Sequence, residues 1–116
     1  MDKNLIAKNL NKNVEVITQS FDNYGIEVLS YGFCKINEET GWLDLMVEIE
    51  DESGFGLEDD LQLKVNLYDE EGDIIYSDSE YIYEDEFDGF DTVHFHLSED
   101  GLAFNADRCR LYMTKA

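Results

Sequence analysis

From Trp42 to Glu50 the chain alternates without interruption. Leu43, Leu45, Val47 and Ile49 fall on one side, and Trp42, Asp44, Met46, Glu48 and Glu50 on the other. A period of two belongs to a half-buried β-strand, because successive side chains of an extended backbone point to opposite faces. The same device returns at Leu61, Leu63, Val65 and Leu67, with Gln62, Lys64, Asn66 and Tyr68 opposite. Weaker versions run through Val14–Thr18, Ile26–Ile36, 74–83, Val93–Leu97 and 107–115. In the second of the 74–83 and 107–115 runs, Cys109, Leu111 and Met113 share a face. Ser77-Asp78-Ser79 interrupts the apolar side of the 74–83 run, as a bulge or an edge strand does.

Short polar segments separate these runs. They include Asp22–Gly25, Asn37–Gly41, Asp51–Gly56, Asp69–Asp73, Glu84–Gly89 and 99–106, each of them carrying a glycine. About seven strands with such turns and no clear helix between them predict an all-β, two-sheet antiparallel sandwich of immunoglobulin/fibronectin type. One wet face per strand requires the two sheets to pack apolar side to apolar side. Residues 1–13, rich in Asn and Lys with Leu5, Ile6 and Leu10, are expected as a weakly ordered N-terminal segment, with one or two helical turns or a loose leader strand as the alternatives. Residues 14–116 are expected as the sandwich domain.

Composition changes the picture in one respect. The 116 residues contain 28 acids against eight Lys and Arg, a formal charge of −20. The excess is local. Four acids and four lysines balance within residues 1–36, whereas residues 37–107 hold 24 acids and a single base, Lys64. A field of that sign repels phosphate backbones and anionic lipid, so the expected partners are basic protein or peptide surfaces. Direct nucleic-acid or membrane contact is not expected. A hydrophobic share of 43% and an aromatic share of 13% are too high for a disordered acidic tail. No leader-like or membrane-length apolar run stands in the sequence, which reads as cytoplasmic with reduced thiols at Cys34 and Cys109.

Between Gly41 and Leu97 the order of features resembles the small bacterial sandwich domains called FxLYD domains. The residues that carry the likeness are Val65-Asn66-Leu67-Tyr68-Asp69, then Glu70-Glu71-Gly72-Asp73-Ile74-Ile75. They are similar to a strand ending in Leu-Tyr-Asp, a glycine turn and a returning strand. Val47-Glu48-Ile49 before Ser53, and Thr92-Val93-His94-Phe95 downstream, extend the likeness. Phe87-Asp88-Gly89-Phe90-Asp91 departs from the family's Pro-Gly-Glu-like turn, and the upstream loop is acidic where the family prefers Asn. The resemblance implies an immunoglobulin-like fold and a non-enzymatic accessory or interaction role. It transfers no functional residues.

Several local patterns carry chemistry. His94 and His96 share a strand face around Phe95, a spacing able to offer two ligands to zinc or a similar metal. With no other His, and no Cys nearby in sequence, two solvated polar positions are the preferred reading, and no metal or cofactor is assigned. Glu84-Asp85-Glu86-Phe87-Asp88-Gly89 mimics the first half of a calcium loop, but the twelfth position is Phe95 instead of a bidentate Glu. The Asp69–Asp73 turn is read in the same way, as solvated. No acid interrupts a clearly apolar face, so no carboxylate pair is marked for acid–base chemistry. Cys34 and Cys109 read as buried inert thiols, with a sandwich-spanning disulfide as the alternative for an exported chain.

Trp42, Met46, Tyr68, Tyr76, Tyr81 and Tyr83 are expected to include surface aromatics ringed by carboxylates. Trp42, Asp44, Met46, Glu48 and Tyr68 make the candidate interaction surface. The expected function is a non-enzymatic interaction module for a basic protein or peptide. The alternatives are a nucleic-acid mimic occupying a DNA- or RNA-binding protein, and weak calcium binding by acidic turns. An edge strand could also pair two copies into a homodimer.

Overall fold

The computed structural model describes residues 2–116. Seven strands form two sheets: β1 (Val14–Val16), β7 (Arg108–Lys115), β4 (Leu61–Tyr68) and β5 (Ile74–Ile82) in that spatial order, and β2 (Ile26–Cys34), β3 (Leu43–Asp51) and β6 (Phe90–Leu97) in the other. All pairings are antiparallel except β1 with β7. In immunoglobulin lettering the three-stranded sheet stands as A-B-E, and β5-β4-β7 as C′-C-F. The place of the last strand, beside β7, is filled from the other end of the chain by β1.

The alternation read from the sequence is the alternation observed. Leu43, Leu45, Val47 and Ile49 of β3, and Leu61, Leu63, Val65 and Leu67 of β4, are all within 1% of full burial, and Phe95 joins them at 0%. Each such side chain contributes about 1.5–3 kcal/mol relative to exposure. A one-residue slip of β3 would expose four of them and bury Asp44 and Glu48, which is why its register is unique. Strand β2 cannot keep a simple period. A bulge at Leu29, between Val28 and Ser30, resets the side-chain phase so that Phe33 still reaches the core.

Three helices accompany the strands, and two of them stand where no helix is expected. Residues expected as a weakly ordered segment contain α1 (Lys3–Lys12), capped by Asp2, whose Oδ1 accepts the Asn4 amide at 2.9 Å. Its anchors are few: Leu10 is buried, the Asn11 side chain accepts the Phe33 amide at 2.8 Å, and the Asn13 carbonyl accepts the Cys109 amide at 3.0 Å. Two of these three contacts use asparagines, which hydrophobic patterning does not detect. The strand expected over Val14–Thr18 stops at Val16. Short α2 (Thr18–Asp22) follows, with Phe21 buried and the Ser20 hydroxyl accepting the Met113 amide at 3.0 Å.

The expected loop over 99–106 contains α3 (Leu102–Asn105), with Leu102 and Ala103 in the core. It packs closely on the turn before β3: a Cβ added at Gly41, whose φ is +78°, would lie 2.8 Å from Gly101 backbone atoms. That approach admits only glycine. No helix among the described residues is long and apolar enough to cross a membrane.

Candidate functional site

Because the inner faces are occupied by the core, the chemistry lies on the two outer faces. On the three-stranded sheet the register brings Cys34, Asp44 and His96 into one row, Gly32, Met46 and His94 into the next, then Ser30, Glu48 and Thr92, and finally Glu27, Glu50 and Phe90. The face therefore carries the carboxylates of Glu27, Asp44, Glu48 and Glu50 and no Lys or Arg. Ser30 Oγ donates a short hydrogen bond to Glu48. Trp42 sits at the end of this face in the approach to β3, 43% exposed, its indole Nε1 donating to Asp100 Oδ1 at 2.8 Å. Phe90 is half exposed at the opposite end.

Asp44 is the centre of the most organised cluster. Its Oδ2 lies 2.9 Å from His94 Nε2 and its Oδ1 lies 3.2 Å from His96 Nδ1. The two imidazoles are 4.1 Å apart between centroids. One carboxylate bridging two rings explains why the Asp44 side chain, on a solvated face, is only 14% exposed. His94 and His96 were predicted to project together; their carboxylate partner was not. Asp44 is 50 residues from His94 in sequence, and only the β3–β6 pairing unites them. An Asp–His pair is also the orienting half of a hydrolytic triad. Among the described residues, neither imidazole has a hydroxyl or thiol as hydrogen-bond partner.

Tyr68 is not part of this surface. It lies on the outer face of the four-stranded sheet, because β4 turns its odd-numbered residues to the core and belongs to the other layer. There Tyr68 is flanked by Arg108 and Arg110, with their guanidinium carbons 5.5 and 5.4 Å from its ring centroid. Arg110 Nε also donates to Glu15 at 2.7 Å. Tyr81 and Tyr83 stack at 5.8 Å near the same layer. The expected single surface of acids and aromatics is thus divided: most acids of the strand faces lie on one layer, and the arginines with most exposed tyrosines on the other. Met46, Trp42, Asp44 and Glu48 remain together.

Strand β5 corrects another expectation. Asp78 and Glu80 pair with Val65 and Leu63, so they occupy inward-facing register positions at the sheet edge, and acids do interrupt an apolar face. Burial, and next the Asp78 carboxylate, push Glu80 above the ordinary carboxyl range, while His96 and His94 pull it back. The sequence signal was the Ser77-Asp78-Ser79 interruption. It marks an edge strand, and the bulge of this hairpin falls at Ile75 instead.

The acidic turns are occupied by their own backbone. Asp69 Oδ1 accepts the amides of Glu71 and Asp73 at 3.0 Å each, although the carboxylates of Asp69, Glu71 and Asp73 lie within 4.8 Å of one another. Asp51 similarly accepts from the Ser53 hydroxyl and from the Gly56 and Ser53 amides. The Ser53 hydroxyl bond is the main cause holding its carboxyl below the usual range. Glu84, Asp85, Glu86 and Asp88 are all exposed. The Cys109 thiol is buried on the inner face of β7 and pushed up to about 12 by desolvation. Cys34, expected to be buried, is half-buried and faces outward beside Asp44. A disulfide across the sandwich is therefore ruled out, since the two side chains point away from a common space.

No family model matches the chain, and no curated protein sequence does either. Among solved structures it is similar to the crystal structure of cj0090 from Campylobacter jejuni. The TM-score is 0.50 at 18% identity, over 90% of this chain and 98% of that one. A much longer chain from Bacteroides fragilis matches with a TM-score of 0.38 and 11% identity, over 79% of this chain and 16% of its own. The first likeness is one of fold over nearly the full length of both chains.

Proposed function

We propose that the chain is a protein-interaction module that presents the outer face of its three-stranded sheet to a basic protein or peptide surface. The observation that carries this reading is the sign of that face: Glu27 on β2 and Asp44, Glu48 and Glu50 on β3 stand on neighbouring strands, with no Lys or Arg among the outward residues of the sheet. Like charge is crowded at its end. Burial first, and then Glu27, Asp22 and Glu50, raise the Glu52 carboxyl above its ordinary value. A cationic partner would relieve that repulsion, while Trp42, Met46 and Phe90 supply the apolar contact that a purely electrostatic encounter lacks. Mimicry of nucleic acid draws less support, because β3 carries a single file of acids where two regular rows are needed.

The test compares charge reversals on the two layers. Affinity capture from native lysate is run at low and high salt with the wild-type chain, Glu48→Lys with Glu50→Lys, and Arg110→Glu. The expected result is a basic partner retained at low salt and by Arg110→Glu, and lost with the Glu48/Glu50 variant. Capture that ignores salt, or that fails with Arg110→Glu alone, overturns the reading.

A further inference from the structure

We propose that Asp44, His94 and His96 form a binding site for one transition-metal ion of the zinc or copper class. The three side chains already gather their donor atoms at one place. Two donors each about 2.0–2.1 Å from a common ion, at octahedral to tetrahedral angles, lie about 2.9–3.4 Å apart. Asp44 Oδ2 is 2.9 Å from His94 Nε2, and Asp44 Oδ1 is 3.2 Å from His96 Nδ1. All three residues offer donor atoms within 4.8 Å of one another. An ion seated there replaces the protons that now join the carboxylate to the rings.

The positions are held by the fold. Asp44 and His96 are register partners on adjacent strands, and Phe95, fully buried between the two histidines, fixes the direction in which both imidazoles leave β6. Sites on paired strands hold their geometry better than sites on loops. Two imidazoles and one carboxylate suit zinc, copper or nickel, whereas calcium and magnesium prefer all-oxygen shells. His96 is 69% exposed, so solvent can reach and complete the shell. The chain's charge of −20 also raises the local concentration of any cation. The acidic group at Asp69, Glu71 and Asp73 has no comparable claim, because Asp69 is committed to its turn.

This site does not depend on the protein-interaction reading, although Asp44 belongs to both. Protein without an affinity tag is titrated with zinc chloride, copper chloride and calcium chloride by calorimetry, and the imidazole ¹⁵N resonances are followed by NMR. The expected result is one equivalent of zinc or copper, a raised thermal midpoint, and shifts confined to His94 and His96, with none from calcium. His94→Gln, His96→Gln and Asp44→Asn should each weaken binding at least tenfold. His96→Gln alters a mostly exposed side chain, so it carries the test if Asp44→Asn fails to fold. Absence of zinc and copper binding to the wild type overturns the proposal. So does undiminished binding by the double histidine variant, which would assign the ion to the acidic turns. The Glu48→Lys with Glu50→Lys variant keeps Asp44, His94 and His96 and should still take up one equivalent of zinc or copper while losing partner capture, so failure of either reading is seen separately.

Discussion

The outer face of the three-stranded sheet carries four carboxylates, two histidines and no Lys or Arg, whereas the outer face of the four-stranded sheet carries Lys64, Arg108 and Arg110 against Glu15. One layer is an uncompensated acidic surface; the other is net basic, with Arg110 paired to Glu15 and both arginines beside the Tyr68 ring. Both layers send apolar side chains into one core, so the contrast of their outer faces is not required for folding. Outer positions of a sandwich are free to diverge because their side chains remain in water on both sides of the folding equilibrium, whereas inner positions must be dry. The charge segregation is therefore the part of this sequence that folding alone does not explain.

The largest expected effect tests that division directly. Phe95→Ala removes a fully buried ring between two outward histidines and should cost about 3–5 kcal/mol in chemical denaturation. His96→Gln, one position away on the outer side, should change stability by less than about 0.5 kcal/mol in metal-free buffer. Comparable losses from the two variants would break the distinction between a load shared by the inner faces and outer faces free for function.

Next in size is a comparison of the layers with each other. Arg110→Glu removes a guanidinium from the Tyr68 ring and places a like charge beside Glu15, and should destabilise by about 1 kcal/mol. Glu48→Lys inserts the missing sign into a row of acids and should leave stability unchanged or slightly raised, with the difference fading in high salt. An equal loss from both would show that the acidic layer is as well compensated as the basic one.

How much of this was legible in the sequence follows from the range of each interaction. Strand periodicity is local, so Leu43–Ile49 and Leu61–Leu67 predicted which side chains are buried, and the sandwich with them. Pairing between strands distant in sequence is not local. Asp44, His94 and His96 were each placed outward correctly, yet nothing in residues 42–50 announced that β3 would lie beside β6. For the same reason Tyr68 was assigned to the wrong companions: alternation tells inside from outside but not one layer from the other. The extent of α1 was not legible because Asn11 and Asn13 dock it through backbone hydrogen bonds, while of its apolar residues only Leu10 is fully buried and Ile6 and Ala7 are packed in part.

The smallest effect concerns the edge where the layers meet. Glu80 faces inward on β5, opposite Leu63, and its carboxyl is held above the ordinary value by burial and by Asp78, against the pull of His96 and His94. An acid whose folded value is raised ionises at greater cost in the folded state than in the unfolded one. Its destabilising contribution is complete above the folded value and disappears as pH falls to below the unfolded value of 4.5. Glu80→Gln should therefore raise the melting temperature modestly at pH 7, with the gain shrinking toward zero in acid. An inward charge on an edge strand also disfavours pairing with another edge. Glu80→Val should accordingly be still more stable but associate through β5, seen as a concentration-dependent shift in sedimentation. A Glu80→Gln gain independent of pH would mean that shape, not charge, sets the cost. A monomeric Glu80→Val would mean that this edge is protected by something other than its inward acids.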